Sequence, residues 1–141
     1  MKINLIKTIV IIASIFLTSS TNIFGQVYKL KSTSFSTRYK INEYKWSDWS
    51  DATDSSVLIT FDLTNDRITI YSKVTQVYDI AEYEGKTTDE DGDDIFSYYC
   101  IDKDGSKCRV KMLKLHSLNE RMQMYVYYSD MNWLYNIYTL D

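Results

Sequence analysis

Short runs of β-favouring residues, separated by small polar clusters, make up most of this chain. Val, Ile, Thr, Phe, Trp and above all Tyr recur in these runs; all 13 tyrosines follow residue 25, and the chain has no proline. Such residues favour strands, and no useful stretch shows the 3.6-residue apolar period of a helix. The predicted strands span residues 27–40, 44–50, 56–63, 67–74, 76–84, 94–102, 106–115, 121–129 and 132–140.

The short connections between these runs predict the fold class. Eight or nine consecutive strands joined by short turns form an antiparallel meander. A flat meander of that length would leave two long edges exposed. We therefore expect an all-β fold that closes into a small barrel or a closed two-layer sheet.

The first 25 residues have the layout of a secretory signal peptide. Two lysines precede the apolar run 9–17, and a polar stretch follows it. The run is about half the ~20 residues that a membrane-spanning helix needs. We expect cleavage after Gly25, with Ser20 and Asn22 as alternative cut sites, and export to the periplasm or beyond.

The remaining segment, residues 26–141, is predicted to be a single mildly acidic all-β domain. It holds 14 basic and 19 acidic residues, which gives no electrostatic footprint for nucleic acid. No run in it is long and apolar enough for a membrane-spanning helix. Two cysteines and one histidine cannot complete a four-ligand zinc site, and glycine-rich phosphate loops are absent. We expect no cofactor.

Cys100 and Cys108 are predicted to face each other across a hairpin. The segment from Asp102 to Gly105 has the residues of a type I turn with a left-handed glycine, which gives a three-residue loop. The same register pairs Tyr98 with Val110 and Phe96 with Met112. Since export permits oxidation, we expect a disulfide between the two cysteines, with two free buried thiols as the alternative.

A second hairpin is predicted around residues 65–66. A two-residue turn there pairs Leu63 with Ile68 and Phe61 with Ile70. That register would place apolar side chains together on one face, as a half-buried sheet requires.

Residues 46–50, Trp-Ser-Asp-Trp-Ser, match the W-S-x-W-S pattern of cytokine receptors and thrombospondin repeats. In those proteins the tryptophans stack with arginines in a cation–π ladder. This chain has too few cysteines for a thrombospondin repeat. In a cytokine-receptor module the motif lies near the end, whereas here it lies near the start of the predicted domain. We expect a strand with Trp46 and Trp49 on opposite faces; the alternative is an aromatic platform for a sugar or peptide, assisted by Tyr44.

The acidic run at residues 89–94 carries five carboxylates in six residues. Calcium prefers oxygen ligands, so one interpretation is a weak calcium site at Asp89, Asp91 and Asp93. The positions of Gly92 and of later glutamates do not fit an EF-hand, which favours a solvated hairpin loop.

His116 is the only histidine, so any Ser-His-Asp or Cys-His arrangement would depend on it. Its place at a strand end, beside Ser117, is typical of a surface turn. No catalytic residue is predicted. Paired carboxylates of a glycoside hydrolase would be recognisable only in space.

Aromatic residues supply the candidate ligand-binding side chains. The methionines of strand 121–129 are expected to face the core, while Tyr125 and Tyr127 lie on the other face as a barrel wall, a binding surface or cross-strand packing. The candidates are Trp46, Trp49, Tyr125, Tyr127, Trp133 and Tyr135.

Four segments, 46–49, 66–72, 76–80 and 100–108, together resemble a group of small secreted uncharacterised proteins from Bacteroidota. The residues 23–26 are similar to signal cleavage sites of that group. The resemblance implies export from a Gram-negative cell and implies no activity. The strand count is also similar to that of lipocalin-like barrels, but the G-x-W of the first lipocalin strand is missing, so this likeness is one of architecture alone.

These features favour an exported, non-enzymatic module that binds a small ligand or associates with the envelope. A ligand binder would need an apolar cavity lined by Tyr and Met. One alternative is a protein-interaction module, which would need a contiguous exposed Tyr and Trp surface. Another is a hydrolase with two partly buried carboxylates ~5–9 Å apart. The expected partner is a small ligand or an envelope or extracellular protein.

Overall fold

The structure, a computed structural model, describes residues 26–140, and the predicted signal peptide lies outside the described residues. Most of this part of the chain is in strands, connected by turns and one 3₁₀ turn at His116–Leu118. The strands are β1 (Val27–Asn42), β2 (Lys45–Trp46), β3 (Thr53–Asp54), β4 (Leu58–Asp62), β5 (Arg67–Ile70), β6 (Gln76–Thr88), β7 (Asp94–Asp102), β8 (Lys107–Leu115), β9 (Arg121–Tyr127) and β10 (Met131–Thr139).

Eight of these strands close into an antiparallel barrel. From β4 to β10 each strand pairs with the next along the chain, and β1 completes the ring by pairing with both β4 and β10. The short β2 and β3 pair only with β1, beyond the part of β1 that pairs with β4. The predicted all-β meander and its closure are therefore confirmed. Closure pairs both edges of the meander, which would otherwise be open to other chains.

The predicted strand 44–50 is wrong beyond its first residues. After β2 the chain leaves the ladder, and two serines bind the backbone of β1 instead. Ser47 donates its N–H to the Tyr39 carbonyl at 2.8 Å, and its hydroxyl accepts from the Tyr39 N–H at 3.0 Å. Ser50 makes the same pair of bonds with Thr37 at 2.8 and 2.9 Å. Serine side chains thus replace ladder bonds at this edge.

The β4–β5 turn also differs from the prediction. Asp62 pairs with Arg67, so the loop holds four residues instead of two, and Leu63 lies in it rather than opposite Ile68. The Asp62 carboxylate accepts hydrogen bonds from the second and third backbone N–H groups of the loop, both at 3.1 Å. Such side-chain turns compete with the two-residue hairpin turn and here shift the register by two residues.

The β7–β8 hairpin has the predicted three-residue loop and register, with Cys100 opposite Cys108. Gly105 has the expected left-handed φ of 81°. The disulfide is a correction, because both cysteines are free thiols. Both are buried, and burial raises the pKa of Cys100 to about 12 and that of Cys108 to about 11. Burial thus favours the protonated thiol at both positions.

The barrel interior is filled at one end and open at the other. The closed end, where β5 meets β6 and β7 meets β8, contains Ile70, Tyr78, Cys100 and Val126, which are 0–2% exposed. The open end is formed by the start of β1, the end of β10, and the β4–β5, β6–β7 and β8–β9 turns. No helix among the described residues is long and apolar enough to cross a membrane.

Candidate functional site

A cavity of about 840 Å³ occupies the open end of the barrel. Its wall is mostly apolar and includes five aromatic rings and two methionines. The apolar side chains around it are Val27, Tyr28, Leu30, Phe61, Leu63, Ile80, Tyr83, Phe96, Tyr98, Met112, Leu113, Met122 and Leu140. The volume is within the range of small-molecule sites, roughly 300–1,000 Å³.

Two bulges in β6 shape one wall of this cavity. The pairing of β6 with β7 shifts between Ile80 and Glu82 and again between Tyr83 and Gly85. The first shift places Tyr83 opposite Tyr98, with the two ring centroids 5.1 Å apart. Gly85 has φ 101°, a value that other residues rarely adopt, which explains a glycine within the strand. β6 consequently continues past the turn predicted to begin at Gly85.

Aromatic side chains pack against one another along the inner wall of the cavity. The Phe61 ring meets the Tyr98 ring edge-on at 5.7 Å, so Tyr98 contacts rings on both sides. Burial raises the pKa of Tyr98 above its usual value, so the phenol stays neutral. The arrangement presents ring faces and neutral hydroxyls to the cavity.

One half of the mouth is an apolar arc, which we define as Val27, Tyr28, Leu63, Tyr83 and Leu140. These side chains are 38–53% exposed, although all five also line the cavity. They belong to a continuous run of neighbouring barrel segments, from the end of β10 through β1 and the β4–β5 turn to β6. The apolar cavity surface therefore continues outward onto the rim.

The other half is a charged arc, which we define as Lys86, Asp94, Lys114, His116 and Glu120. Asp94 contacts His116 at 3.0 Å and Lys86 at 3.3 Å. Glu120 contacts His116 at 2.7 Å and Lys114 at 3.2 Å. The Lys86 ammonium also lies 5.8 Å from the ring centre of Phe96, a cavity residue. This network joins β6, β7, β8 and the β8–β9 turn at the rim.

Outside the barrel, the two tryptophans of the W-S-x-W-S segment enclose one arginine. The Arg38 guanidinium carbon lies 5.1 Å from the Trp46 ring centre and 4.8 Å from that of Trp49. With the Asn132 amide oxygen facing it, Arg38 also donates two hydrogen bonds to Asn132 at 3.0 and 3.1 Å. The expectation that Trp46 and Trp49 lie on opposite faces is wrong, because both bind the same cation. Tyr44 is 90% exposed in the β1–β2 turn.

The structure divides the six predicted aromatic candidates between two places. Four of them lie outside the barrel: Trp46, Trp49, Tyr125 and Tyr127. The Trp49 ring meets the Tyr125 ring edge-on at 5.8 Å, and Tyr125 stacks on Tyr127 at 5.5 Å. Their faces are largely covered by one another and by cations such as Lys111, 5.5 Å from the Tyr127 ring centre. This mutual coverage leaves little ring face for a sugar or peptide.

Trp133 and Tyr135 lie inside the barrel, below the cavity. Tyr135 is 4% exposed and packs against Phe35 at 5.0 Å. Trp133 packs against Tyr128 at 5.2 Å, and the Tyr128 hydroxyl donates to Asp102 at 2.7 Å. Burial and that bond raise the pKa of Tyr128 above its usual value. These residues fill the closed end and none of them lines the cavity.

The acidic loop brings the carboxylates of Asp89, Asp91 and Asp93 within 4.8 Å of one another. Their bonding is explained by the turn itself. Asp89 accepts from the N–H groups of Asp91 and Asp93 at 3.0 and 2.9 Å. Both oxygens of the buried Asp93 accept from Ser117, at 2.9 and 2.7 Å. The loop is thereby tied to the β8–β9 turn, and the calcium interpretation gains no support beyond the proximity.

Among the described residues that line the cavity, Asp66 supplies the one carboxylate. The carboxylate pair that a glycoside hydrolase requires is not brought together there. The cavity residues on β4, β6, β7 and β8 were not predicted as ligand-binding candidates. The alternation of apolar and polar residues along a strand indicates only that they face the barrel interior. Gly85 within a β run was the available signal for the bulge.

Comparisons of the chain with protein-family models, with curated proteins and with solved structures found no match. The functional argument therefore depends on the geometry of the barrel. In that geometry the cavity with its two-sided mouth is the feature best suited to hold another molecule.

Proposed function

We propose that this protein is a non-enzymatic binder of a small apolar ligand, which it holds in the cavity at the open end of the barrel. The observation that carries the proposal is the cavity itself, about 840 Å³ and lined by Tyr, Phe and Met. Its size and apolar wall are those of sites that enclose small molecules.

The packing of the rest of the interior supports this proposal. The closed end is filled by large side chains, with Tyr78, Ile70 and Val126 at 0–2% exposure. The same barrel leaves Tyr98, Met112 and Phe96 only partly buried at the open end. An apolar ligand would remove this surface from water, at about 25 cal/mol for each Å² buried.

The predicted export of the protein indicates where such a binder would act. The signal-like first 25 residues and the resemblance to secreted Bacteroidota proteins support action in the periplasm or outside the cell. An exported binder of this size would carry or capture an envelope or extracellular molecule. The outer tyrosines and tryptophans favour the alternative interaction module less, because their faces cover one another.

A fluorescent apolar probe tests the binding directly. We expect N-phenyl-1-naphthylamine to show saturable fluorescence enhancement with one site per chain. Met112→Trp adds an indole to the cavity wall and should weaken probe binding about tenfold or more, because it occupies ligand volume. Ile80→Trp, on β6, is the second cavity-filling variant.

Val74→Trp is the matched control, since Val74 is 77% exposed in the turn at the closed end. Circular dichroism would verify that each variant is folded. Probe binding that is absent in the native protein, or that survives both cavity-filling variants unchanged, would show that the cavity is not a ligand site.

A further inference from the structure

We infer that the apolar arc docks the barrel mouth on a lipid surface and that the ligand is an acyl chain taken from that surface. This inference rests on the proposed function, because it assigns a source and a class to the ligand of the same cavity. Its structural basis is the continuity between the five exposed arc residues and the cavity wall.

The position of the arc determines what can cover it. Val27, Leu63 and Tyr83 border one half of the opening, so a rigid protein partner seated on them would block that side of the route into the cavity. A fluid apolar phase covers the arc and supplies a chain to the cavity at the same time. Exposed apolar and tyrosine side chains of this kind sit about 5–10 Å deep at the boundary of head groups and acyl chains.

The charges around the mouth fit this orientation. Lys29 lies beside the arc on β1, where its ammonium group can reach lipid phosphates. The acidic loop at residues 89–94 is next to the charged arc and favours water over an anionic surface. We therefore assign the arc to a zwitterionic rather than an anionic lipid surface.

The chain outside the described residues joins the barrel at the same place. Val27, the first residue of β1, is an arc residue, and the predicted apolar leader core ends ten residues earlier at Leu17. Ten residues span at most about 36 Å. A leader inserted in the membrane would thus hold the arc within that distance of the lipid surface before cleavage.

Cosedimentation with sucrose-loaded dioleoylphosphatidylcholine vesicles tests the inference. We expect the native protein to bind, Val27→Glu to lower the partition coefficient about tenfold, and Val74→Glu to leave it unchanged, because only Val27 is in the arc. Leu63→Glu is a second arc variant in a surface turn, in case Val27→Glu fails to fold. Native mass spectrometry of protein recovered from the vesicles should detect one bound phospholipid.

The probe titration separates this inference from the proposed function. Native protein that binds the probe without vesicles but does not bind vesicles overturns the lipid inference and leaves the ligand-binding function intact. Equal vesicle binding by Val27→Glu, Leu63→Glu and Val74→Glu also overturns it, because the arc would then play no part. Vesicle binding with no phospholipid recovered overturns the assignment of the ligand as an acyl chain.

Discussion

His116 lies between two carboxylates, and this geometry favours its protonated form. Its Nε2 lies 3.0 Å from Asp94 Oδ2 and its Nδ1 lies 2.7 Å from Glu120 Oε1. A neutral imidazole has one N–H, so one of the two contacts would place a lone pair against a carboxylate oxygen. Only the imidazolium donates to both. The hydrogen bond to Asp94, followed by that to Glu120, raises the pKa of His116 above 6.5.

The stability of the barrel should therefore fall as the pH rises through the titration of His116. A group whose pKa is raised on folding contributes fully below its unfolded pKa, about 6.5, and loses that contribution above its folded pKa. We expect the imidazole NMR titration midpoint to lie above 6.5. We also expect the melting temperature of the native protein, relative to His116→Gln, to decline across that range.

The two carboxylates give the opposite dependence in acid. Hydrogen bonds from His116 lower the pKa of both Asp94 and Glu120, so their contribution to stability is present above about pH 4 and is lost as the pH falls below it.

Two results would contradict the assignment of His116 as an imidazolium. One is a His116 titration midpoint at or below 6.5, and the other is parallel melting curves for native protein and His116→Gln between pH 6 and 9.

At the scale of elements, Arg38 fastens the segment between β2 and β3 to the barrel. Its guanidinium is enclosed by Trp46 and Trp49 and, with the Asn132 amide oxygen facing it, donates two hydrogen bonds to that buried residue. The serines after the two tryptophans bind β1 on either side of it. The W-S-x-W-S segment therefore has a structural role, in which its two tryptophans pack on the single side chain of Arg38.

Arg38→Lys should destabilise the protein by about 2 kcal/mol. A lysine has no planar face to offer two rings and cannot donate the paired hydrogen bonds to Asn132. Urea unfolding followed by tryptophan fluorescence measures the loss.

Arg67→Lys provides the comparison for Arg38→Lys. Arg67 pairs with Asp79 at 2.8 Å, but both side chains are more than half exposed. Such a pair contributes at most about 1 kcal/mol, so the change should be small. Equal losses of stability in the two variants would show that the contacts of Arg38 with Trp46, Trp49 and Asn132 add no stability.

The two hairpins show which elements can be predicted from residues alone. Gly105 is a local signal for a three-residue loop, and the β7–β8 register follows from it. Residues 65–66 carry no glycine, and the Asp62 side chain selects a longer turn that alternation does not reveal. Strand 44–50 was predicted from composition, but the serine hydroxyls compete with the ladder there.

The whole molecule is a closed barrel that is filled at one end only, and this asymmetry was not predictable. Alternation identifies inward side chains, yet Met124, at 0% exposure, and Met112, on the cavity wall, have the same pattern on neighbouring strands. Which end remains open depends on the β6 bulges and on how the strands close. The predicted requirement of a Tyr- and Met-lined cavity is met by residues that the sequence did not single out.

Methionine methyl NMR tests the central claim, that the open-end cavity is the ligand site, most directly. With ¹³C-methyl methionine, addition of N-phenyl-1-naphthylamine should shift the signals of Met112 and Met122, which line the cavity. Met131, 43% exposed at the closed end, should not move. Unchanged Met112 and Met122 signals at saturating probe, or a shift confined to Met131, would contradict the account.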